Sequence, residues 1–365
     1  MSDGHDCKQG EGQVSSSPRI SCLLAVWNGE AHLADAIRSI LDQTFRDFEL
    51  IVVDDGSTDA TRRILHHFRC EDRRIRLFEQ PHTGLVAALN RGMSLASGEY
   101  IARMDADDIS APQRFEIQAK FLDQHPAIGI CGTWVETFGD GRNEIVRYPC
   151  DDGAIRSSLL FNSSLAHPSV MLRSNLWVRH SLSYHACARH AEDYDLWVRA
   201  APLTRFGNIP VPLLRYRVHS EQVGARHRKE QEASSRHIRL AQMRHLGIQP
   251  TEQEVNLHQS LSRWEFSATW EFLCETRAWL SKLSKANMSA QHYPQAWFRT
   301  VLSRCWADVC TAATGGGIRT LIEFWRVPRL AFSGLTPVQH LTLAIKCLVR
   351  QDPRTPLMKV NDAAH

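Results

Sequence analysis

Phe48-Glu49-Leu50-Ile51-Val52-Val53-Asp54-Asp55-Gly56-Ser57 is a nearly continuous apolar run that stops abruptly in two carboxylates and a glycine. A run this short and rich in β-branched residues reads as a strand buried on both faces, the type found in parallel sheets. Ser57 or Thr58 then stands where an N-cap is expected, ahead of a helix turning Ile64, Leu65 and Phe68 inward. The same rhythm extends outward in both directions. Upstream, Ile20 to Val26 is a buried-strand run closed by Asn28-Gly29, and Leu33, Ile37, Ile40 and Leu41 recur at helical spacing. Downstream, Ile75 to Phe78 reads as a third strand, and Leu85, Ala88, Leu89 and Met93 mark another helix. The strand that begins at Tyr100 runs into Asp105-Ala106-Asp107-Asp108. Alternating strand and helix predicts an α/β fold, a mostly parallel sheet flanked by helices. Ligands in such sheets bind beyond the carboxyl ends of the strands, where both acidic clusters fall.

The chain has 365 residues, 43% hydrophobic and 23% charged, an ordinary globular composition. A net charge of +3 gives no reason to expect nucleic acid as a partner. Ten cysteines occur without a C-x-x-C pair or zinc spacing, and Cys22, Cys131 and Cys347 lie in apolar stretches. Reduced, buried thiols and a cytoplasmic protein are the expectation. Residues 1–17 are polar and Ser/Gly-rich and read as a disordered leader. After about Gln222 only helical signals remain, so residues 18–223 form one expected domain and 224–365 a helical region. Six tryptophans lie between Trp264 and Trp325, and from Arg319 to Lys359 seven Lys/Arg face two acids. With Phe324, Trp325, Leu330 and Phe332, that segment suits either an ordinary helical cap or peripheral contact with an anionic inner-membrane surface. The apolar stretch Ala331 to Ile345 is interrupted by Pro337, Gln339 and His340, too soon for a membrane span.

Clustered carboxylates at a strand end repel one another and call for a cation. At Asp105–Asp108 an EF-hand fails, because Ile109 takes a ligand position and Ser110 the glycine position. A phosphatase of the D-x-D-x-T type fails at Ile109, and a solvated acidic turn is the third reading. Asp54-Asp55-Gly56-Ser57 is either a capping turn or a site where Asp55 accepts bonds from a base or ribose. Trp27 could stack on that base or pack in the core. Glu192-Asp193-Tyr194-Asp195-Leu196-Trp197 opens a helix with Leu196 and Trp197 inward. Acids suit that helix end, yet four acidic or phenolic groups exceed capping needs and offer a general base. His219 is a candidate metal or phosphate contact, and His167-Pro168-Ser169 a candidate acceptor-side loop. No Walker motif, G-x-G-x-x-G or G-x-S-x-G elbow is present, which removes P-loop ATPases, dinucleotide dehydrogenases and serine hydrolases of that type.

Taken in order, several runs resemble one known family. They are Leu24 to Glu30, Ser39 to Phe45, Phe48 to Asp59, Gly98 to Asp108 and Glu192 to Trp197. The chain is similar over roughly Pro18 to Val223 to the family 2 glycosyltransferases. That resemblance implies the GT-A fold (Rossmann-like), an inverting reaction and a nucleotide-sugar donor, with the C-terminal helical region unmatched. It implies Trp27 against the base, Asp55 recognising it, Asp105 toward the ribose, Asp107 on Mn²⁺ or Mg²⁺ and Asp193 as catalytic base. Ala25, Glu30 and Ala106 fall in the same donor-binding runs, Ala25 in place of the usual proline or hydroxyl residue, and His219 is a further candidate metal ligand. The donor implied is a UDP-hexose or UDP-N-acetylhexosamine, and the acceptor a glycan or glycolipid. A non-catalytic sugar binder would need no Glu192-Asp193. A sugar-nucleotide-forming nucleotidyltransferase would need a Gly-rich basic loop near the N-terminus, which is absent.

Overall fold

The computed structural model describes residues 17–140, 143–219, 227–326 and 337–349. The expected leader lies outside them apart from residue 17, as do Arg329, Leu330, Phe332 and the basic residues after 349. The first half is built as β1 (Ile20–Val26), α1 (Leu33–Leu41), β2 (Phe48–Asp54), α2 (Thr61–Glu71), β3 (Ile75–Glu79), α3 (Leu85–Leu95) and β4 (Tyr100–Met104). β1 pairs in parallel with β2 and β4, and β2 with β3. Every residue of β1, β2 and β4 is buried, as their mainly apolar runs require, Ser21, Glu49, Asp54 and Arg103 included. Side chains alternate across the sheet. Cys22, Leu24, Leu50 and Val52 face a core completed by α1 and α2. Leu23, Ala25, Ile51 and Val53 face a second core with Ala88, Leu89 and Met93 of α3.

The chain continues through β5 (Ile109–Ser110), α4 (Arg114–Gln124), β6 (Ile128–Gly139), β7 (Ile145–Val146), α5 (Asp152–Ser158), β8 (Met171–Arg173), α6 (Ser174–Arg179), α7 (Glu192–Ala200) and β9 (Arg205–Val218). Among the described residues the sheet order is β3-β2-β1-β4-β8-β6-β9-β5, with β7 on β6. β8 is antiparallel to β4 and β6, whereas β6 and β9 run parallel over their length. This is the expected α/β architecture with a mainly parallel sheet.

Two local expectations are corrected. β9 begins at Arg205, although only Leu213 to Val218 reads as strand. Pro210 and Pro212 look like breakers, but the pairing steps from Thr133–Ile209 to Trp134–Pro212, so the strand bulges around them and continues. Ser57 and Thr58 do not cap α2, which starts at Thr61 with no side-chain cap. They bind Asn28 instead: its N–H donates to Ser57 Oγ at 2.9 Å, and its Oδ1 accepts the Thr58 N–H at 2.8 Å. The turns after β1 and β2 are thereby tied together.

The C-terminal part is helical, as expected: α8 (Arg228–His245), α9 (Glu252–Arg263), α10 (Trp270–Ala290), α11 (Gln295–Ala312), α12 (Ile318–Trp325) and α13 (Pro337–Leu348). Trp279, Trp306, Phe298 and Leu280 form a third core, joined from the sheet side by Leu160 and Phe161. Cys22, Cys131 and Cys347 are buried thiols, as their apolar surroundings imply.

Candidate active site

Register decides what meets at the sheet end. Val26 pairs with Asp54 and Leu24 with Met104, so Trp27, Asp55 and Asp105 leave three adjacent strands side by side. The chain moves outward from β1 to β2 and β3, then returns to β4 on the other side of β1. Such a reversal opens a crevice at the carboxyl ends. The crevice is a cleft of about 840 Å³ lined by Ala25, Trp27, Asp55, Asp105, Ala106, Asp107, Asp193 and His219, among others. The structure therefore gathers eight of the nine residues that the family resemblance singles out, while Asp108 and Ser169, also noted in the sequence, lie outside the lining. Glu30 is not among the lining residues; its carboxylate accepts the Ala60 N–H at 2.8 Å, beside the start of α2.

Trp27 is not core packing: it is 54% exposed and stacks on His82 with ring centroids 4.4 Å apart. Asp55 is buried beneath them. Its Oδ1 accepts from Gln80 Nε2 (2.7 Å), Thr83 N–H (2.9 Å) and Thr83 Oγ1 (3.1 Å), and its Oδ2 from Gly84 N–H (2.8 Å). Burial pushes this carboxyl up, but the bonds from Gln80, Thr83 and Gly84 together outweigh it and hold the group below the usual carboxylate range. Asp55 thus fastens the Gln80–Gly84 loop over the turn at Gly56. Gly56 has φ +74°, and a Cβ there would meet the His82 nitrogen at 2.6 Å.

Asp105, Asp107 and Asp108 bring carboxylate oxygens within 4.8 Å of one another. Asp105 pairs with the buried Arg103. Asp107 Oδ2 lies 3.1 Å from His219 Nε2 at the end of β9. Asp108 is fully buried; one oxygen accepts the Arg217 N–H at 2.8 Å and the other has no partner. Burial, then repulsion from Asp107 and Asp105, raises the Asp108 carboxyl well above its ordinary range. Asp105 is raised by enclosure and by Asp107, against the pull of Arg103. An orphaned buried oxygen in a group of hard oxygen donors, with an imidazole at its edge, fits a divalent cation.

Across the cleft, α7 begins with Glu192 and Asp193. Leu196 and Trp197 anchor it in the core, and Tyr194 donates to the Leu159 carbonyl at 2.5 Å. Asp193 remains partly exposed to the cleft, 3.5 Å from Ser163 Oγ. Burial raises its carboxyl above the usual range, and burial followed by repulsion from Asp193 takes Glu192 to about 7. Carboxylates held above their ordinary range suit proton acceptance near neutral pH. His167 also lines this side, buried and 2.8 Å from the Tyr184 hydroxyl.

Eight residues around the cleft escape the sequence reading. Arg103 was legible in principle, because a cation inside a buried strand needs a counter-charge nearby. Gln80, His82 and Thr83 form a polar loop after a strand, an unremarkable signal until register places it over Asp55. Arg114 donates to the Arg103 carbonyl at 2.7 Å from inside the core. From α8, Arg228, Gln231 and Arg239 reach the same cleft.

A model of the family described as Glycosyl transferase family 2 matches residues 21–177. The chain is 35% identical over 193 residues to the putative glycosyltransferase EpsE of Bacillus subtilis, covering 51% of this chain and 68% of that one. It is 31% identical over 208 residues to the O-antigen biosynthesis glycosyltransferase WbnJ of Escherichia coli, covering 55% and 80%. Among solved structures it is similar to TarS 1–349 of S. aureus in complex with UDP-GlcNAc (TM-score 0.52, 16% identity, 94% and 95% covered). It is also similar to the mannosyltransferase PcManGT of Pyrobaculum calidifontis in complex with GDP-Man and Mn²⁺ (TM-score 0.50, 14% identity, 92% and 87% covered). The structural likenesses are to a GT-A fold and extend over the helical region. With relatives this similar aligned over most of their own length, and the family's model matched on the strands that build the cleft, the chain belongs to the family 2 glycosyltransferases and is a glycosyltransferase.

Proposed function

We propose that the chain is an inverting transferase that moves a sugar from a UDP-hexose or UDP-N-acetylhexosamine to an acceptor hydroxyl on a growing polysaccharide, lipopolysaccharide or lipid-linked glycan. The observation that carries this reading is the opposition, across one cleft, of the Asp105–Asp108 cluster with its orphaned oxygen and the raised carboxylate of Asp193. Complexes of the structural neighbours with UDP-GlcNAc and with GDP-Man and Mn²⁺ support the donor class, and the O-antigen relative supports the acceptor class.

Trp27 offers its exposed ring to the base, beside the Asp55-fixed loop, and Asp105 takes the ribose. Mn²⁺ or Mg²⁺ held by Asp107, with Asp108 and His219, would supply counter-charge for the departing diphosphate. Asp193 accepts the hydroxyl proton as the acceptor oxygen bonds to the anomeric carbon. The bond from that carbon to the diphosphate breaks on the opposite face, so configuration inverts. Release of nucleoside diphosphate from a panel of nucleotide sugars, with Mn²⁺ and with chelator, tests the reading. Cation-dependent release from a UDP-sugar is expected; release from none of them, or release indifferent to chelator, would overturn it.

The lipid-linked acceptor draws support from the last two described helices. Ile318, Ile322 and Trp325 line one side of α12, and Val338, Leu341, Ile345 and Leu348 one side of α13, all exposed. In a segment with excess Lys/Arg, such faces suit an anionic membrane surface. No helix among the described residues is long and apolar enough to cross a membrane.

A further inference from the structure

A second group of ligand-type side chains stands at the rim of the cleft and shares no residue with the acidic turn. His190 precedes α7 by two residues, while His227 immediately precedes α8 and Glu230 lies in its first turn. The Glu230 N–H donates to the His227 carbonyl at 3.0 Å, which holds the two residues at the same end of the helix. The donor atoms of all three residues lie within 4.8 Å of one another. His190 Nε2 is 3.7 Å from one Glu230 oxygen, and His227 Nδ1 is 3.6 Å from the other. Both separations are too long for hydrogen bonds. They approach the roughly 3.3–3.4 Å that separates two ligands of a tetrahedral zinc with bonds of about 2.0–2.1 Å. The two imidazoles are stacked, with centroids 4.4 Å apart, so sharing one ion takes a rotation of the exposed His227 ring about its side-chain bonds; His190 is held at φ +58°, a conformation a non-glycine residue keeps only when its surroundings enforce it. The nearest competing cation, Arg189, is 3.8 Å from Glu230 and its side chain is 75% exposed.

The geometry points to a second divalent-cation site, formed by His190, His227 and Glu230 and suited to Zn²⁺, that clips the first C-terminal helix to the segment entering α7. Two imidazoles and one carboxylate prefer Zn²⁺, whereas the Asp105–Asp108 group, three carboxylates with only His219 at its edge, prefers Mg²⁺ or Mn²⁺. Three protein ligands leave a fourth position, on the side of the cleft that His190 and His227 line. The site stands or falls independently of the donor and mechanism proposed above.

Metal-stripped protein titrated with Co²⁺ tests it, because tetrahedral ligation gives an intense visible spectrum and octahedral ligation rich in oxygen a weak one. One equivalent should bind with the intense spectrum, be displaced by Zn²⁺, and be lost in His190→Ala, His227→Ala and Glu230→Gln but kept in Asp107→Ala. Thermal midpoints should rise with Zn²⁺ in the wild type and in Asp107→Ala, and not in the His227 variant. His227 and Glu230 are exposed, so their replacement leaves the fold intact. A weak spectrum only, an intense one that survives the His227 and Glu230 changes, or a cobalt–thiolate band assigning the ion to cysteine would overturn the inference.

Discussion

Asp108 shows at a single residue why the acidic turn needs a partner. Its backbone-bound oxygen is satisfied by Arg217, while the other is buried among carboxylates. Without a counter-ion that arrangement disfavours ionisation, and a cation reverses the balance. Asp107→Ala should therefore weaken UDP binding in Mn²⁺ by at least roughly tenfold and leave chelator-treated binding alone; metal ligation of this kind is sensitive on that scale. Unchanged calorimetric affinity would count against Asp107 as ligand. The pH dependence belongs to this scale too. Asp193 must be ionised to accept a proton, and its carboxyl is raised by burial, so activity is present above the raised value and lost as pH falls through it. The acid limb of kcat should lie above the ordinary aspartate value of about 3.9. Burial rather than Glu192 raises the Asp193 carboxyl, so Glu192→Gln should leave the limb where it is. Initial rates across pH in both proteins check this, and a limb that moves with the Gln variant would make Glu192 the titrating base.

Strands and turns carry the site, and here the sequence was most legible. Buried parallel strands announce themselves as apolar runs, and the polar residues that end them mark the ligand-binding edge. Trp27, Asp55, Asp105 and Asp107 were readable for that reason. The Gln80–Gly84 loop was not, since its purpose depends on the β2–β3 register that lays it over Asp55. The full length of β9 was hidden by prolines that a bulge accommodates, although that strand delivers His219 to Asp107. Gly56 links the turn to the loop. Gly56→Ala should lower stability by roughly 1–3 kcal/mol in urea unfolding, from the left-handed backbone and the contact with His82, and should also weaken UDP binding. An unaltered midpoint with intact affinity would show that the loop is not held as described.

At the scale of the whole molecule, the chain joins a sheet domain to helices whose own core is rich in tryptophan, and α8 closes one wall of the cleft. Helical periodicity revealed the C-terminal helices, but not which of them would face the cleft, because that depends on tertiary packing. The exposed apolar faces of α12 and α13 give a prediction of their own. The protein should co-sediment with vesicles containing anionic lipid, and replacing Ile322, Leu341 and Ile345 with Ser should reduce the bound fraction severalfold; equal binding would assign those faces elsewhere. The proposed division of labour across the cleft spans the molecule as well, and would put donor and cation on the strand ends and proton acceptance on α7. Asp193→Asn separates them in one protein. Turnover should fall by roughly 10²–10⁴-fold or more, while calorimetry with UDP and Mn²⁺ gives the wild-type affinity. Retained turnover, or donor affinity lost in step with it, would contradict the assignment.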